Sequence, residues 1–206
     1  MATVTDPELE EPETSIVEPS ELYEVVDGRI VAEHYEVVDG IVVEEPPLGA
    51  QSGWFASFLA QTMGYFATSN RLGRVVTEVL FVLEAEPRLR RRPDIALVSR
   101  ERWPLNRQVP PAAAWDVVPD LAVEIISPSD IAFDIMSKLE EYFRAGVRLV
   151  WVVYPEHRKV YAYDSPTIVR ILQAGDELDG GAVLPGFRFS LAGLFETQED
   201  GPTPVA

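Results

Sequence analysis

Between residues 121 and 154 the sequence spells strand, helix, strand, and this block constrains the fold more than any other stretch. Leu121-Ala122-Val123-Glu124-Ile125-Ile126 is apolar at every position but one, the pattern of a mostly buried strand. Ser127-Pro128-Ser129-Asp130 ends that strand and offers an N-cap. The helix that follows carries Ile131, Ile135, Leu139, Tyr142 and Phe143 on one apolar face, and Gly146 is its natural stop. Residues 148–154 return to strand.

The remaining elements fit around this block. Tyr23-Glu24-Val25-Val26-Asp27-Gly28 recurs twelve residues later as Tyr35-Glu36-Val37-Val38-Asp39-Gly40. Asp-Gly between β-rich runs marks a hairpin, because both residues tolerate the positive φ of a type I′ turn, so an antiparallel meander is expected over residues 22–45. From 51 to 68, Trp54, Phe55, Phe58, Leu59, Met63 and Phe66 fall at helical spacing with no proline between them. Residues 75–83 and 94–98 read as strands of one antiparallel hairpin, joined by a Glu-Pro-Arg-rich turn. Residues 99–118 suit an irregular connection, 159–163 a further strand after a turn at 155–158, and Pro185-Gly186 a late turn. The order predicts an α/β domain: a mixed β-sheet flanked by helices, preceded by an N-terminal β-hairpin meander.

Composition limits the classes of function. In 206 residues, 47% hydrophobic and 25% charged, there is material for one ordinary core. Residues 1–20 and 197–206 are polar and proline-rich and are expected to be disordered tails, leaving 21–196 as the domain. No apolar run approaches the roughly 20 residues of a membrane span, and the acidic start lacks the features of a secretory signal, so a soluble, cytoplasmic protein is expected. The absence of cysteine excludes disulfides, thiolate metal sites and a cysteine nucleophile. A net charge of −17 opposes an extended nucleic-acid surface, although Arg88, Arg90, Arg91 and Arg92 concentrate positive charge locally.

Three residues stand out chemically. Glu124 is the lone acid of a buried strand, and an unpaired buried carboxylate demands a cation, a metal or a proton. Asp94 opens the apolar run 94–98 directly after Pro93; the alternative is a surface pair with Arg91 or Arg92. Lys138 flanks the apolar face of the helix and could reach the sheet, or could pair with Asp134 on the surface. Taken together, two carboxylates on neighbouring strands supply the hard oxygen ligands that Mg²⁺ or Mn²⁺ prefers, with a lysine to stabilise charge on phosphorus. Glu78 could add a carboxylate or be an ordinary strand acid. Asp120, four residues before Glu124, is an alternative ligand whose place after Pro119 favours a turn. His34 and His157 stand alone and read as exposed; Ser127 and Ser129 have no histidine beside them for a nucleophilic triad.

Arg92-Pro93-Asp94, the block from Pro119 to Asp130, then Lys138, Tyr142, Ala145-Gly146-Val147, Val150-Trp151-Val152-Val153 and Pro185-Gly186-Phe187 together resemble the Uma-type restriction endonucleases of the PD-(D/E)xK nuclease superfamily. The likeness runs from about residue 22 to 196. It implies a restriction-endonuclease-like fold, Asp94 and Glu124 as ligands of Mg²⁺ or Mn²⁺, and Lys138 as the third catalytic residue of a metal-dependent endonuclease acting on DNA. The superfamily lysine normally follows the glutamate by two residues, where this chain has Ile126, so the resemblance implies that the role has moved to Lys138 on the helix. Such proteins often carry a histidine at the start of the first helix, where Gln51 and Ser52 stand here. The competing reading is a catalytically inactive nuclease-fold interaction module that uses its acidic surface for a protein partner or for self-association as a homodimer.

Overall fold

The structure, a computed structural model, describes residues 24–26, 29–31, 34–85 and 88–196. Both terminal tails expected from composition lie outside the described residues. The chain divides into two compact units, Met1–Glu33 and His34–Ala206. In the first, β1 (Glu24–Val26) and β2 (Arg29–Val31) pair antiparallel as a two-stranded ribbon.

The second unit opens with β3 (Tyr35–Val38) and β4 (Ile41–Glu44), joined at Asp39-Gly40. Both turn residues have positive φ, 50° and 77°, as the Asp-Gly signal requires. In place of one meander over residues 22–45, two antiparallel pairs form in different sheets, and the second goes on to pair with β7 (Leu89–Arg91) and, through it, β6 (Phe81–Glu84), in the order β4-β3-β7-β6.

α1 (Ala50–Ser69) follows, longer by a residue at each end than the sequence spacing indicates. β5 (Gly73–Thr77), β8 (Ile95–Ser99), β9 (Leu121–Ile125), β10 (Leu149–Tyr154), β11 (Lys159–Ser165) and β12 (Ile168–Gln173) form the main sheet, in the order β12-β11-β10-β9-β8-β5. It is mixed. β9 and β10 are parallel and every other neighbour is antiparallel. The parallel pair is the one bridged by α2 (Ala132–Ala145), as a crossover needs a helix. A short ribbon, β13 (Glu177–Asp179) with β14 (Arg188–Ser190), and α3 (Leu191–Phe195) complete the described chain.

The two faces of the main sheet carry separate cores. Leu121, Val123, Ile125, Trp151 and Val153 point toward α1, where Phe55, Leu59 and Met63 meet them. Ala96, Val98, Ala122, Val150 and Val152 point the other way and meet Leu139 and Tyr142 of α2. Strand alternation thus sends Glu124 to the α2 side. Full burial of Leu59 and Met63 contributes roughly 1.5–3 kcal/mol each.

Three local expectations are corrected. The single strand over residues 75–83 is two strands in different sheets, because Glu78 takes a left-handed φ of 55° that ends β5 before β6 begins. The Glu-Pro-Arg turn contains β7, drawn into strand by its pairing with β6 and β3. Ser127-Pro128-Ser129-Asp130 does not cap α2: Asp130 closes its own turn on the Ser127 N–H at 2.6 Å, and the N-cap is Ile131 with no side-chain bond. Gly146, with φ of 102°, ends α2 as expected. No helix among the described residues is long and apolar enough to cross a membrane.

Candidate active site

The site sits where β8 begins and β9 ends. β8 and β9 pair Ile95 with Val123, so the next step of that register sets Asp94 opposite Glu124. β5 and β8 pair Thr77 with Ile95, and the same step sets Glu78 opposite Asp94, its N–H donating to the Asp94 carbonyl at 3.3 Å. Three acids therefore share one row across three neighbouring strands. Both Asp94 and Glu124 are buried, at 9% and 8% exposure.

Backbone and side-chain donors orient the two. Oδ2 of Asp94 accepts the Ile125 N–H at 2.5 Å, and Oε1 of Glu124 accepts the Tyr142 hydroxyl at 2.6 Å. Burial, then the Glu124 charge, pushes the Asp94 carboxyl well above the usual range, with Glu78 adding to the rise. Burial likewise raises Glu124, although Lys138 and the Tyr142 hydrogen bond pull the other way. Asp94 does not take its alternative, a surface pair with Arg91 or Arg92. Arg91 goes to Glu36 and Glu141, and an Arg92 Nη1–H goes to the Glu78 carbonyl.

Lys138 is largely buried and turned inward, away from the surface partner Asp134. Its Nζ lies 3.3 Å from Oε1 of Glu36 and 3.1 Å from Oε1 of Glu45. The charges of Glu124, Glu36 and Glu45 outweigh burial and hold this ammonium above its ordinary range, so it is a cation at any physiological pH. Ile126 occupies the position two residues after Glu124 and packs with the apolar side chains facing α2.

The sequence reading missed Glu36 and Glu45. Glu36 is fully buried, and the cations Lys138 and Arg91 more than offset that burial and hold its carboxyl below the usual range. Glu45 is pushed up to about 7 by burial and by the neighbouring Glu36 charge. The signal was there for Glu36: it is the one acid in Tyr35-Glu36-Val37-Val38, the same pattern that singled out Glu124. His34, expected to stand alone, has Nδ1 3.4 Å from Oε2 of Glu78 at the rim of the site.

Asp120 lies elsewhere. It is 1% exposed at the opposite end of β9, where Oδ2 accepts the Ser99 N–H at 2.7 Å and Oδ1 meets Arg102 and Arg148 at 2.9 and 2.7 Å.

The chemistry available is that of paired hard-oxygen donors with a fixed cation beside them. Among the described residues no three His, Asp or Glu side chains converge as a ready-made metal cage. A two-carboxylate set still suits Mg²⁺ or Mn²⁺, which keep several waters and leave positions for a substrate.

Comparison with known proteins agrees with this architecture. The chain resembles the crystal structure described as a putative nuclease belonging to DUF820 from Anabaena variabilis ATCC 29413, with a TM-score of 0.69 and 16% identity over 79% of this chain and 89% of that one. At that identity the likeness is one of fold. No curated protein matches the chain. The Uma2 family model, described as "Putative restriction endonuclease", matches residues 9–192, and the chain belongs to that family.

Proposed function

We propose that this protein is a divalent-metal-dependent nuclease that hydrolyses DNA phosphodiester bonds. The observation that carries the reading is the placement of Asp94 and Glu124 opposite each other at adjoining strand ends, both buried and both holding protons more tightly than an ordinary carboxyl. Buried acids in that state call for a cation, and perturbed carboxylates of this kind gather at functional sites. The family description and the nuclease-fold neighbour point the same way.

Asp94 and Glu124 are the residues that would hold Mg²⁺ or Mn²⁺. Such an ion supplies an activated water near neutral pH and offsets negative charge on the phosphoryl group. The chain's own contribution is orientation and charge. Ile125 N–H fixes Asp94 and the Tyr142 hydroxyl fixes Glu124. Lys138, held as a cation by the charges of Glu124, Glu36 and Glu45, has the part of stabilising charge that builds on the scissile phosphate.

A second reading, an inactive nuclease-fold module that works through protein contacts, is favoured by the net charge of −17. One assay separates the two. Purified protein is incubated with single-stranded, duplex and branched DNA and Mn²⁺, beside Asp94→Asn and Lys138→Ala. The nuclease reading expects cleavage that chelation abolishes and that falls at least about 100-fold in both variants. Equal cleavage by all three proteins points to a contaminant and removes the assignment.

A further inference from the structure

The hairpin of β3 and β4 carries two acids that the nuclease reading does not use, and both close on the same ammonium. Glu36 is saturated: Oε1 accepts the Arg92 N–H at 2.8 Å and lies 3.3 Å from Lys138 Nζ, while Oε2 takes Nη1 of Arg91. Arg91 passes the contact on, its Nε donating to Oε2 of Glu141 at 2.6 Å. Glu141 stands one helical turn beyond Lys138 on α2, so the hairpin and β7 hold α2 at two neighbouring points of one face. Glu45, a third exposed, closes over Lys138 from the open side at 3.1 Å.

A lysine stem has four rotatable bonds and no fixed direction of its own. A strand lysine two residues after Glu124 would be aimed by the sheet; a lysine borne on a helix is not. We propose that Glu36 and Glu45 are positioning residues that pin the Lys138 ammonium beside Glu124, replacing the aim that the strand position occupied by Ile126 would have given. With both gone, the ammonium is free to collapse onto Glu124 and compete there with a divalent ion. The functional half of this inference rests on the nuclease reading, whereas the pinning itself does not.

The sequence makes the test direct, because Lys138 and Lys159 are its two lysines. Lysine-selective ¹³C labelling of the full chain gives one side-chain signal for each, with Lys159 as the internal reference. At one fixed pH, the ¹³C relaxation order parameter of the Lys138 side chain is expected to fall by about half in Glu36→Gln and by less in Glu45→Gln, with Lys159 unmoved. In Mn²⁺-supported cleavage, Glu36→Gln should lower kcat roughly tenfold with KM within about twofold, and Glu36→Asp should recover part of the loss. Glu45→Gln, at a partly exposed position, keeps the test open if Glu36→Gln folds poorly.

A Lys138 side-chain order parameter identical in wild type, Glu45→Gln and Glu36→Gln overturns the pinning. Cleavage lost in Asp94→Asn but undiminished in Glu36→Gln overturns the positioning role and leaves the nuclease reading standing. If the wild type cleaves no DNA, the nuclease reading falls, and the Lys138 side-chain mobility alone decides whether Glu36 and Glu45 hold Lys138.

Discussion

The Tyr142 hydroxyl donates a 2.6 Å hydrogen bond to Oε1 of Glu124, both groups lying buried between α2 and the main sheet. The helix thereby sets the rotation of a carboxylate that belongs to the strand. Hydrogen bonds to charged acceptors contribute about 1.5–3 kcal/mol, and the acceptor here is buried. Tyr142→Phe is expected to lower stability by about 1.5 kcal/mol in urea denaturation and to weaken Mn²⁺ binding roughly tenfold. Unchanged metal affinity in a destabilised variant would confine Tyr142 to packing.

Arg91 is the keystone between β7, β3 and α2, because its guanidinium meets the buried Glu36 and Glu141 carboxylates together. Removing a partner from a buried ion pair costs about 3–5 kcal/mol, since the charge left behind stays desolvated. Arg91→Met should fall in that range by chemical denaturation. Arg91→Lys should recover only part of it, a point charge being a poor substitute for a fork that spans two acids. Full recovery by lysine would argue against the two-point grip.

Glu45 makes stability depend on pH. Its carboxyl is pushed from 4.5 to about 7, facing Glu36 of β3 and Lys138 of α2. Between those values the folded chain holds a proton on Glu45 that the unfolded chain has released, so this group's contribution to stability falls as pH rises. Glu45→Gln removes that loss. The advantage of the variant in thermal melts is expected to grow from pH 5 to pH 8, reaching about 1 kcal/mol once solvent screening of a partly exposed group is allowed for. A difference that does not change with pH would contradict the assigned shift.

Asp120 and Glu124 lie at opposite ends of the same strand and are expected to answer differently to substitution. Its carboxylate ties Ser99, Arg102 and Arg148 at the far end of β9 from Glu124. Asp120→Asn should lower stability by about 2–3 kcal/mol in denaturant titration while leaving Mn²⁺ affinity unchanged. A loss of metal binding would place Asp120 in the site after all.

What the sequence discloses depends on how local each cause is. Glu124 is legible because one acid in an apolar strand has few physical explanations, and the Asp39-Gly40 turn because its two residues permit the conformation it needs. The break at Glu78 is not legible. Nothing marks a glutamate in advance for a left-handed φ, and the residue is held there while its N–H pairs with Asp94 and Arg92 bonds its carbonyl. β7 escapes for a different reason: Leu89–Arg91 lies in a Glu-Pro-Arg-rich stretch that reads as a turn, and it is strand because it pairs with β6 and, at Arg90, with Val37 of β3. Glu36 carries the same signal as Glu124, but its place in a repeated Tyr-Glu-Val-Val-Asp-Gly made it read as hairpin alternation. Only the arrival of Lys138 and Arg91 from distant segments shows that it faces the interior.

The central claim is that Asp94 and Glu124 together hold a divalent cation, and calorimetric titration of Mn²⁺ into the full chain tests it most directly. The wild type should bind with heat that saturates at a defined stoichiometry, and Asp94→Asn and Glu124→Gln should each abolish that binding while remaining folded. Binding that survives in both variants, or a wild type that takes up no Mn²⁺, would contradict it.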